Sequence, residues 1–395
     1  MEIYVVKQGD NVDDIAASYE IPVQTLIYDN QLVYPYELAV GQALLIDDNS
    51  ISTERNFIAD TDSADIRREA FVNGYAYPFI SRWVLEQTLP YLSELSVFSY
   101  GFTSTGSLIA PPLDDVWMIN LAVSYGVFPI LTLTPFGTDG NFNNRLIHSV
   151  VNNPDYTDNL IAELLETMGA KGYRGVDIDF EYILAEDRDA FTAFVQKVAD
   201  IMRINGYHTS VALAPKTSAD QKGLLYEGKD YAALGQAVDH VLLMTYEWGY
   251  TYGPPMAVAP LNQVRRVVEY ALTEIPASKI DLGIPNYGYD WPLPYERGTT
   301  QAVTIGNVQA VRIAIEQGAV IEFDEIAQSP FFTYTEADTG RAHEVWFEDV
   351  RSLQAKFDLM KEFGLKGCGY WQIMKWFRAN WLLLSHNFRI GRNLF

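Results

Sequence analysis

Eight short apolar segments recur between residues 71 and 395 of this chain, and they alternate with stretches whose apolar residues have helical spacing. The candidate strands read FVNGYAYPF, LSVFSYG, VFPILTLT, GVDIDFE, TSVALAP, HVLLMTY, KIDLGIP and KGCGYWQ, and one intervening helix is predicted over 190–202. Because strands that alternate with helices form parallel sheets, the pattern indicates an α/β fold. Eight repeats predict a (β/α)8 TIM barrel, and a doubly wound parallel sheet is the alternative.

Residues 1–48 are predicted to form a separate, small βααβ domain. Gly9 and Asp10 make a turn before a first helix, and Leu26 and Ile27 supply the apolar side of a second helix. An apolar strand at 43–46 closes this unit. The following residues, 49–69, are polar and acidic, which favours a linker to a barrel domain at 70–395.

The stretch between the seventh and eighth candidate strands is too long for a single helix. Residues 291–344 contain a helical pattern near 308–316 and two β-like runs, AVIEFDE and FFTYTE. We therefore expect a small α+β lobe inserted at 291–344.

The charge of the chain excludes some classes of partner. A formal net charge of −23 disfavours nucleic acid and anionic membranes, because phosphate contacts need Lys and Arg. The first residues, MEIYVVKQGD, show no signal peptide, and a single cysteine, Cys368, excludes an intramolecular disulfide. We expect a monomer without a cofactor. We also expect no metal site, since no close metal-ligand spacing appears among His148, His208, His240, His343 and His386.

Three acids in the fourth candidate strand stand at every second position, as Asp177, Asp179 and Glu181. Side chains alternate along a strand, so the acids share one face and the apolar residues between them share the other. Burying an unpaired carboxylate costs several kcal/mol, and neighbouring carboxylates also repel each other. Catalytic groups of such barrels lie at the C-terminal ends of strands, which makes this array a candidate active site.

Several chemistries use clustered acids. A calcium loop of the EF-hand type needs Gly where Tyr182 stands and polar residues between the acids. Phosphoryl transfer needs a phosphate-binding loop or a basic cluster, and neither accompanies the array. Glycoside hydrolysis uses close carboxylates, one of which acts as an acid. Acids that serve only in structural salt bridges remain the alternative.

Four segments resemble the motifs of glycoside hydrolase family 18, the chitinase-like barrels. GVDIDFE resembles the D-x-x-D-x-D-x-E signature, HVLLMTYEWG the M-x-Y-D segment, LGIPNYGYDW the G-x-P-x-Y-G segment and GCGYWQ the closing tryptophan strand. Two positions depart from the family: Arg174 replaces the first, usually structural, aspartate, and Glu247 replaces the aspartate of M-x-Y-D. Residues 2–47, with the Gly-Asp turn and Asn30, resemble a LysM domain, which binds N-acetylglucosamine-containing glycans.

The family 18 resemblance implies a role for each acid. It implies that Glu181 protonates the glycosidic oxygen while the substrate's own 2-acetamido group attacks the anomeric carbon. Asp179 is then expected to hold the acetamido N–H and to share a proton with Asp177. The same resemblance implies that Tyr246 hydrogen-bonds the acetamido carbonyl.

The resemblance also suggests substrate contacts. Trp371 is expected to form an apolar floor under the sugar, and Glu247 and Asn286 are expected to bind hydroxyl groups. Tyr100, in the segment FSYGFTSTGSL, is a further candidate for substrate binding.

Together, the LysM-like segment, the barrel motifs and FSYGFTSTGSL resemble the spore-cortex-lytic N-acetylglucosaminidases. This implies a retaining, substrate-assisted β-N-acetylglucosaminidase that acts on peptidoglycan and is associated with the spore or cell wall. A chitinase is the first alternative, because the site needs only an N-acetylated sugar. A non-catalytic glycan-binding protein is the second.

Overall fold

The computed structural model describes residues 1–47, 67–137, 140 and 142–392. Its centre is a barrel of parallel strands in which each strand pairs with the next and the last pairs with the first. In chain order the barrel strands are Glu69–Ala76, Glu94–Phe102, Phe128–Leu133, Gly175–Ile178, His208–Leu213, His240–Leu243, Ile280–Pro285 and Gly367–Trp371. All eight coincide with the candidate strands, so the predicted (β/α)8 barrel is confirmed. The alternative of an open, doubly wound sheet is wrong because the sheet closes.

Helices cover the outside of the barrel. They are Arg82–Thr88, Val116–Ser124, Asn144–Val151, Pro154–Lys171, Arg188–Ile204, Tyr231–Ala237, Leu261–Glu274, Val350–Phe363 and Arg378–Asn387. Short 3-10 turns at Leu89–Tyr91, Ala185–Asp187 and Ala277–Lys279 and short strands at Leu108–Ile109 and Arg389–Ile390 complete this layer. Within the described residues, no helix has both the length and the apolar composition that crossing a membrane requires.

Local signals set the ends of these helices. Asn153 caps Pro154–Lys171 by accepting a hydrogen bond from the backbone N–H of Asp155, and Gly172 ends the same helix with φ of 87°. A side-chain acceptor satisfies one of the free N–H groups at a helix start, and glycine adopts the left-handed conformation at low cost.

The fourth barrel strand shows how the acids come to face the barrel interior. Val176, Ile178 and Phe180 are fully buried against the helix layer, where the rings of Phe180 and Phe194 stack with centroids 5.7 Å apart. Each such burial contributes about 1.5–3 kcal/mol. The alternation of the strand then turns Asp177 toward the barrel axis.

The N-terminal unit has the predicted LysM arrangement. Strands Glu2–Val5 and Ala43–Ile46 pair antiparallel, and helices Val12–Ser18 and Val23–Asp29 lie between them. Asn30 fastens the second helix to the closing strand, because its side chain both accepts from and donates to the backbone of Leu45.

The LysM unit packs directly on the barrel domain. Leu45 is part of the large core cluster of the barrel, and Ala39 packs in the core of the inserted lobe. An ion pair of 2.8 Å joins Asp29 to Arg378 at the start of the last helix. The predicted linker at 49–69 falls mostly on residues 48–66, which lie outside the described residues.

A lobe is inserted between the seventh and eighth barrel strands. Its antiparallel sheet consists, in spatial order, of Val303–Ile305, Gly288–Pro292, Ala342–Trp346, Ser329–Thr335 and Glu322–Asp324. Helix Asn307–Glu316 packs on this sheet. The lobe therefore starts a few residues before the predicted position 291 and ends shortly after 344.

Candidate active site

The innermost acid, Asp177, is fully buried near the C-terminal end of the fourth barrel strand. Its carboxylate accepts hydrogen bonds from Tyr75 at 2.9 Å and Ser210 at 2.7 Å, which project from the first and fifth barrel strands. Burial raises the pKa of Asp177, whereas the hydrogen bonds from Ser210 and Tyr75 act to lower it. Two fixed donors thus hold this carboxyl group in one orientation.

The middle acid, Asp179, lies between Asp177 and Glu181 and is 6% exposed. One oxygen of Asp179 is buried without a hydrogen-bond partner among the described residues. Burial, Glu181 and Asp177, in that order, raise the pKa of Asp179 well above its ordinary value. Carboxyl groups that interact this strongly titrate as a unit, so the array retains a proton where isolated carboxylates have lost theirs.

The outer acid, Glu181, is half-buried at the start of the loop that follows the strand. Burial raises its pKa above the ordinary value of 4.5; Lys229 acts to lower this pKa, and Glu247 acts to raise it further. A raised pKa lets a carboxylic acid keep its proton to a higher pH than usual, which suits a general acid.

Lys229, which the sequence analysis missed, lies fully buried beneath these acids. Its ammonium donates to the backbone carbonyl groups of Phe180 and Ala212. Burial lowers the pKa of Lys229 to about 8, against the opposing effect of Asp179 and the other two acids. Its charge acts to lower the pKa of Asp179 and of Glu181, and Asp177 in turn acts to raise the pKa of Lys229. No motif marks it, because it comes from the loop after the fifth strand and meets the acids only in the fold.

Tyr246 follows the sixth barrel strand and lies beside the acids. Burial, Asp179 and Glu181 raise its pKa well above the ordinary value, so the phenol remains a hydrogen-bond donor. Its hydroxyl forms no hydrogen bond with any residue in the described part of the chain. The backbone of Gly283 approaches it closely: a Cβ there would lie 2.8 Å from a ring carbon of Tyr246 and 2.3 Å from the carbonyl oxygen of Leu243.

Trp371 ends the eighth barrel strand and is half-buried at the bottom of the cleft. Its ring meets that of Phe98 at a centroid distance of 4.8 Å and an angle of 70°, and Tyr75 and Tyr77 pack around it. These contacts fix the indole in one orientation, with an apolar surface that suits the C–H face of a pyranose ring.

Comparison with known proteins identifies the family. The family model for glycosyl hydrolases family 18 matches residues 134–375, which is more than half of the chain. The chain belongs to glycosyl hydrolase family 18. A LysM domain model matches residues 4–47.

Relatives of this family 18 chain include spore enzymes. The cortical fragment-lytic enzyme of Bacillus subtilis (strain 168) is 38% identical, with an alignment that covers 100% of both chains. The structure of the spore cortex-lytic enzyme SleL of Bacillus megaterium QM B1551 matches with a TM-score of 0.91 and 35% identity over 99% of both chains. The putative sporulation-specific glycosylase YdhD of Bacillus subtilis is 36% identical over 96% of this chain and 86% of its own.

Glu247, the departure from the M-x-Y-D motif of family 18, is held by two tyrosines: Tyr287 follows the seventh barrel strand, and Tyr289 lies on the lobe strand Gly288–Pro292. Its carboxylate accepts hydrogen bonds from Tyr287 and, at 2.9 Å, from Tyr289. Burial raises the pKa of Glu247, and the two tyrosines act to lower it. The backbone at Glu247 has φ of 66°, which directs this longer side chain across to the base of the inserted lobe.

Two of the predicted substrate contacts are placed differently by the structure. Tyr100 is fully buried against the helix layer, with its hydroxyl bonded to Asp115 and Lys171, so the prediction that it contacts sugar is wrong. Asn286 is 3% exposed and donates to the carbonyl groups of Gln372 and Lys375. Its amide nitrogen therefore orders the loop after the eighth strand and is not free for a sugar hydroxyl.

Exposed aromatic rings surround the mouth of the cleft. Tyr182 and Phe142 form an edge-to-face pair 5.9 Å apart, and Tyr250 and Tyr252 lie on the loop after the sixth strand. All four are more than one-third exposed. Rings at such positions offer stacking surfaces for sugars on either side of the reacting bond.

A second buried cluster, here called the basal cluster, lies at the opposite, N-terminal end of the barrel and consists of Glu94, His208, His240 and Asp281. His240 lies between Asp281 at 2.5 Å and Glu94 at 3.1 Å. These two carboxylates overcome the effect of burial and raise the pKa of His240 to about 10, whereas burial lowers that of His208 to about 4.

Glu94, His208 and His240 bring potential ligand atoms within 4.8 Å of one another, although their sequence spacing gave no such indication. Both ring nitrogens of His240 are engaged by carboxylates. The positive charge of this cluster is therefore supplied by the imidazolium itself.

Proposed function

We propose that this chain is a retaining, substrate-assisted β-N-acetylglucosaminidase that hydrolyses peptidoglycan after N-acetylglucosamine. The observation that carries the proposal is the unpartnered, buried oxygen of Asp179, flanked by Asp177 and Glu181. An acceptor at this position suits the N–H of a 2-acetamido group. The half-buried acid Glu181 and the unoccupied hydroxyl of Tyr246 complement it.

In the first step, Glu181 gives its proton to the glycosidic oxygen as the bond from that oxygen to the anomeric carbon breaks. The acetamido oxygen of the same sugar forms a bond to the anomeric carbon and yields an oxazolinium ion. Asp179 accepts the hydrogen bond of the acetamido N–H and offsets the growing positive charge. Tyr246 donates to the acetamido oxygen and orients it for attack.

In the second step, the carboxylate of Glu181 removes a proton from water as the water oxygen attacks the anomeric carbon. The bond to the acetamido oxygen breaks, the acetamide is restored, and Glu181 is again protonated. Two displacements at one carbon retain its configuration, and no protein nucleophile is required.

Peptidoglycan of the spore cortex or cell wall is the proposed substrate. The names of the cortical relatives and the LysM domain support this choice, and they also favour a location at the spore or cell wall. Chitin oligomers are the alternative substrate, since the proposed chemistry requires only an N-acetylated sugar. A purely glycan-binding role is disfavoured because Glu181 is present with a raised pKa.

Incubation with purified cortex fragments and, separately, with N-acetylglucosamine oligomers tests this proposal. We expect new reducing ends from the cortex fragments, and mass spectrometry of defined muropeptides should show N-acetylglucosamine at each new end. Products that end in muramic acid would overturn the specificity. Binding without new reducing ends on either substrate would identify a lectin.

A further inference from the structure

A groove with a volume of about 250 Å³ lies where the LysM unit, the inserted lobe and the loop after the eighth barrel strand meet. We call it the junction groove. The lining residues used below are Gln31, Asn286, Asn307, Arg312, Lys375 and Trp376. The groove and the cleft meet at Asn286, which lines the groove and whose backbone N–H donates to the carbonyl oxygen of Trp371 at 3.0 Å. The side-chain amide of Asn286 also donates to the carbonyl oxygen of Lys375 at 2.9 Å.

The electrostatic character of the junction groove is opposite to that of the whole protein. The chain has 51 acidic and 28 basic residues, yet no carboxylate occurs among the described residues that line this groove. Arg312 and Lys375 line it, and neither forms an ion pair with any residue described by the structure. Lys375 is exposed by surface area, and the partial desolvation of its ammonium lowers its pKa, as expected where no acid compensates the charge.

The acids of the adjoining cavity do not neutralise these two cations. That cavity, of about 200 Å³, includes Glu348 and Asp349 in its lining. Glu348 pairs with buried Lys356 at 2.8 Å, and Asp349 pairs with Arg351 at 2.7 Å. Two further acids, Glu37 and Glu316, line this adjoining cavity together with Arg312, and neither forms an ion pair with Arg312 within the described structure.

Hydrogen-bond donors reinforce the positive charge of the groove. Helix Asn307–Glu316 begins in it, and its N-cap, Gly306, has no side chain to accept from the first N–H groups. Asn307 is only 4% exposed. Its side-chain oxygen accepts a hydrogen bond from the backbone N–H of Glu348 at 3.0 Å, whereas its side-chain amide nitrogen has no hydrogen-bond partner in the described structure. A helix N-terminus with a spare amide donor and two cations favours an anion.

The LysM unit closes one side of the junction groove. The side-chain amide of Gln31 donates to the carbonyl oxygen of Trp376 at 3.4 Å and accepts from the backbone N–H of Arg378 at 2.7 Å. Both domains therefore contribute to one surface, and a ligand bound there contacts the LysM unit and the catalytic domain together.

We propose that the junction groove binds a carboxylate carried by the glycan substrate while its sugars occupy the catalytic cleft. The ligand class is the acidic substituent of a wall strand, either a lactyl group or a peptide stem; plain N-acetylglucosamine oligomers lack it. This inference rests on the proposed function. It assigns Arg312 and Lys375 to substrate selection and gives the LysM unit a part in substrate binding at the catalytic domain.

The test uses the full chain with Arg312→Gln and Lys375→Gln combined. Its kcat/KM is measured on a soluble peptide-bearing glycan strand and on an N-acetylglucosamine oligomer of equal length. Charge-assisted hydrogen bonds to carboxylates contribute enough for about a tenfold effect or more. We expect the ratio of the two kcat/KM values to fall about tenfold, through KM, and the salt dependence of KM for the peptide-bearing strand to weaken.

Arg174→Gln serves as the matched control, since Arg174 is an exposed arginine at the N-terminal end of the fourth barrel strand. It should leave the ratio at the wild-type value. An equal loss on both substrates, or an unchanged ratio, in the double variant would overturn the inference. Free acetate and a free stem peptide are also added separately to the oligomer reaction, to distinguish an adventitious ion only. Inhibition by acetate as strong as inhibition by the peptide would also contradict the proposed role of the junction groove.

Failure of the proposed function would be seen separately, as absence of cleavage of both substrates by the wild type. Calorimetric titration of the Glu181→Gln variant with each of the two glycans then still tests whether the junction groove binds a carboxylate. Tighter binding of the peptide-bearing strand, lost on adding the double substitution, supports the inference. Equal binding of the two glycans refutes it.

Discussion

The two ends of the barrel each bury a cluster of acids, but they compensate the charge differently. At the C-terminal end, the buried ammonium of Lys229 acts on Asp179 and Glu181, and the pKa of all three acids of the array is raised. In the basal cluster, His240 lies between two carboxylates and its own pKa is raised to about 10. The catalytic end therefore retains protons on its acids, and the basal end holds a proton on its base.

This difference shows that buried carboxylates alone do not identify an active site. Glu94 and Asp281 are fully buried on either side of the His240 imidazole, whereas Glu181 is half-buried at the cleft. An acid that is protonated and reachable can transfer its proton to a substrate. An acid locked against an imidazolium can only contribute to the fold.

The largest expected effect belongs to Glu181→Gln. The amide fills the same space but has no acidic proton, so kcat should fall about 10²–10⁴-fold. Thermal unfolding should stay near the wild-type temperature, because Glu181 forms no hydrogen bond with another described side chain. Near-normal turnover on an unactivated glycan would remove Glu181 from the mechanism.

Glu94→Gln is the matching substitution at the basal end, and we expect the opposite result. It removes one of the two charges that hold the His240 imidazolium, so the free energy of unfolding should fall by about 2 kcal/mol. Turnover should fall far less than in Glu181→Gln, since Glu94 lies at the far end of the barrel and reaches the array only through its charge, which acts to raise the pKa of Asp177. Chemical denaturation checks the expected loss of stability, and kcat measured on the same preparation checks the expected turnover. A large loss of kcat without a loss of stability would contradict the distinction between the two ends of the barrel.

The pH dependence of stability sharpens the comparison further. The pKa of His240 is about 10 in the folded protein against an ordinary value of 6.5. A raised pKa means that this stabilisation is fully present below pH 6.5 and is lost as the pH rises through about 10. Unfolding free energies between pH 6 and pH 10.5 should therefore decline, and in Glu94→Gln the decline should end at a lower pH, because the substitution lowers the pKa of His240 in the folded protein only. Parallel curves for the two proteins would exclude His240 as the source.

At the catalytic end, two substitutions should move the alkaline limb of the kcat profile in opposite directions. Glu247 raises the pKa of Glu181 and Lys229 lowers it. Glu247→Gln should therefore shift the alkaline limb to lower pH, and Lys229→Met should shift it to higher pH. Because Lys229 is buried, circular dichroism must first show that its variant is folded. Shifts of the same sign in both variants would contradict the assignment of Glu181 as the acid.

Local patterns in the sequence were enough to predict the barrel and its acids. The alternation of GVDIDFE requires no distant partner, since its apolar residues pack on the helices and turn the acids inward. The eight strands follow from the same short-range pattern, and the family model agrees with the motifs after them.

Contacts between distant parts of the chain could not be predicted in this way. Lys229 reaches the acids from another loop, and the basal cluster joins residues from four strands. The LysM unit was expected to be a tethered module, but the Asp29–Arg378 pair and the packing of Leu45 attach it to the barrel. Tyr100 was assigned to the site from its segment alone, which does not show which face of the strand its side chain takes. The pairing register of this strand shifts between Val97 and Tyr100, so simple alternation does not predict that face.

The anomeric configuration of the first product tests the central claim most directly. A β-linked glycan with N-acetylglucosamine at the cleavage position is mixed with the protein, and NMR spectra are recorded within minutes, before mutarotation. Substrate assistance predicts a β-anomer first, and no turnover when the acetamide at that sugar is replaced by a free amine. An α-anomer as first product, or efficient hydrolysis of the de-acetylated glycan, would contradict substrate assistance by the group that Asp179 and Tyr246 are proposed to hold.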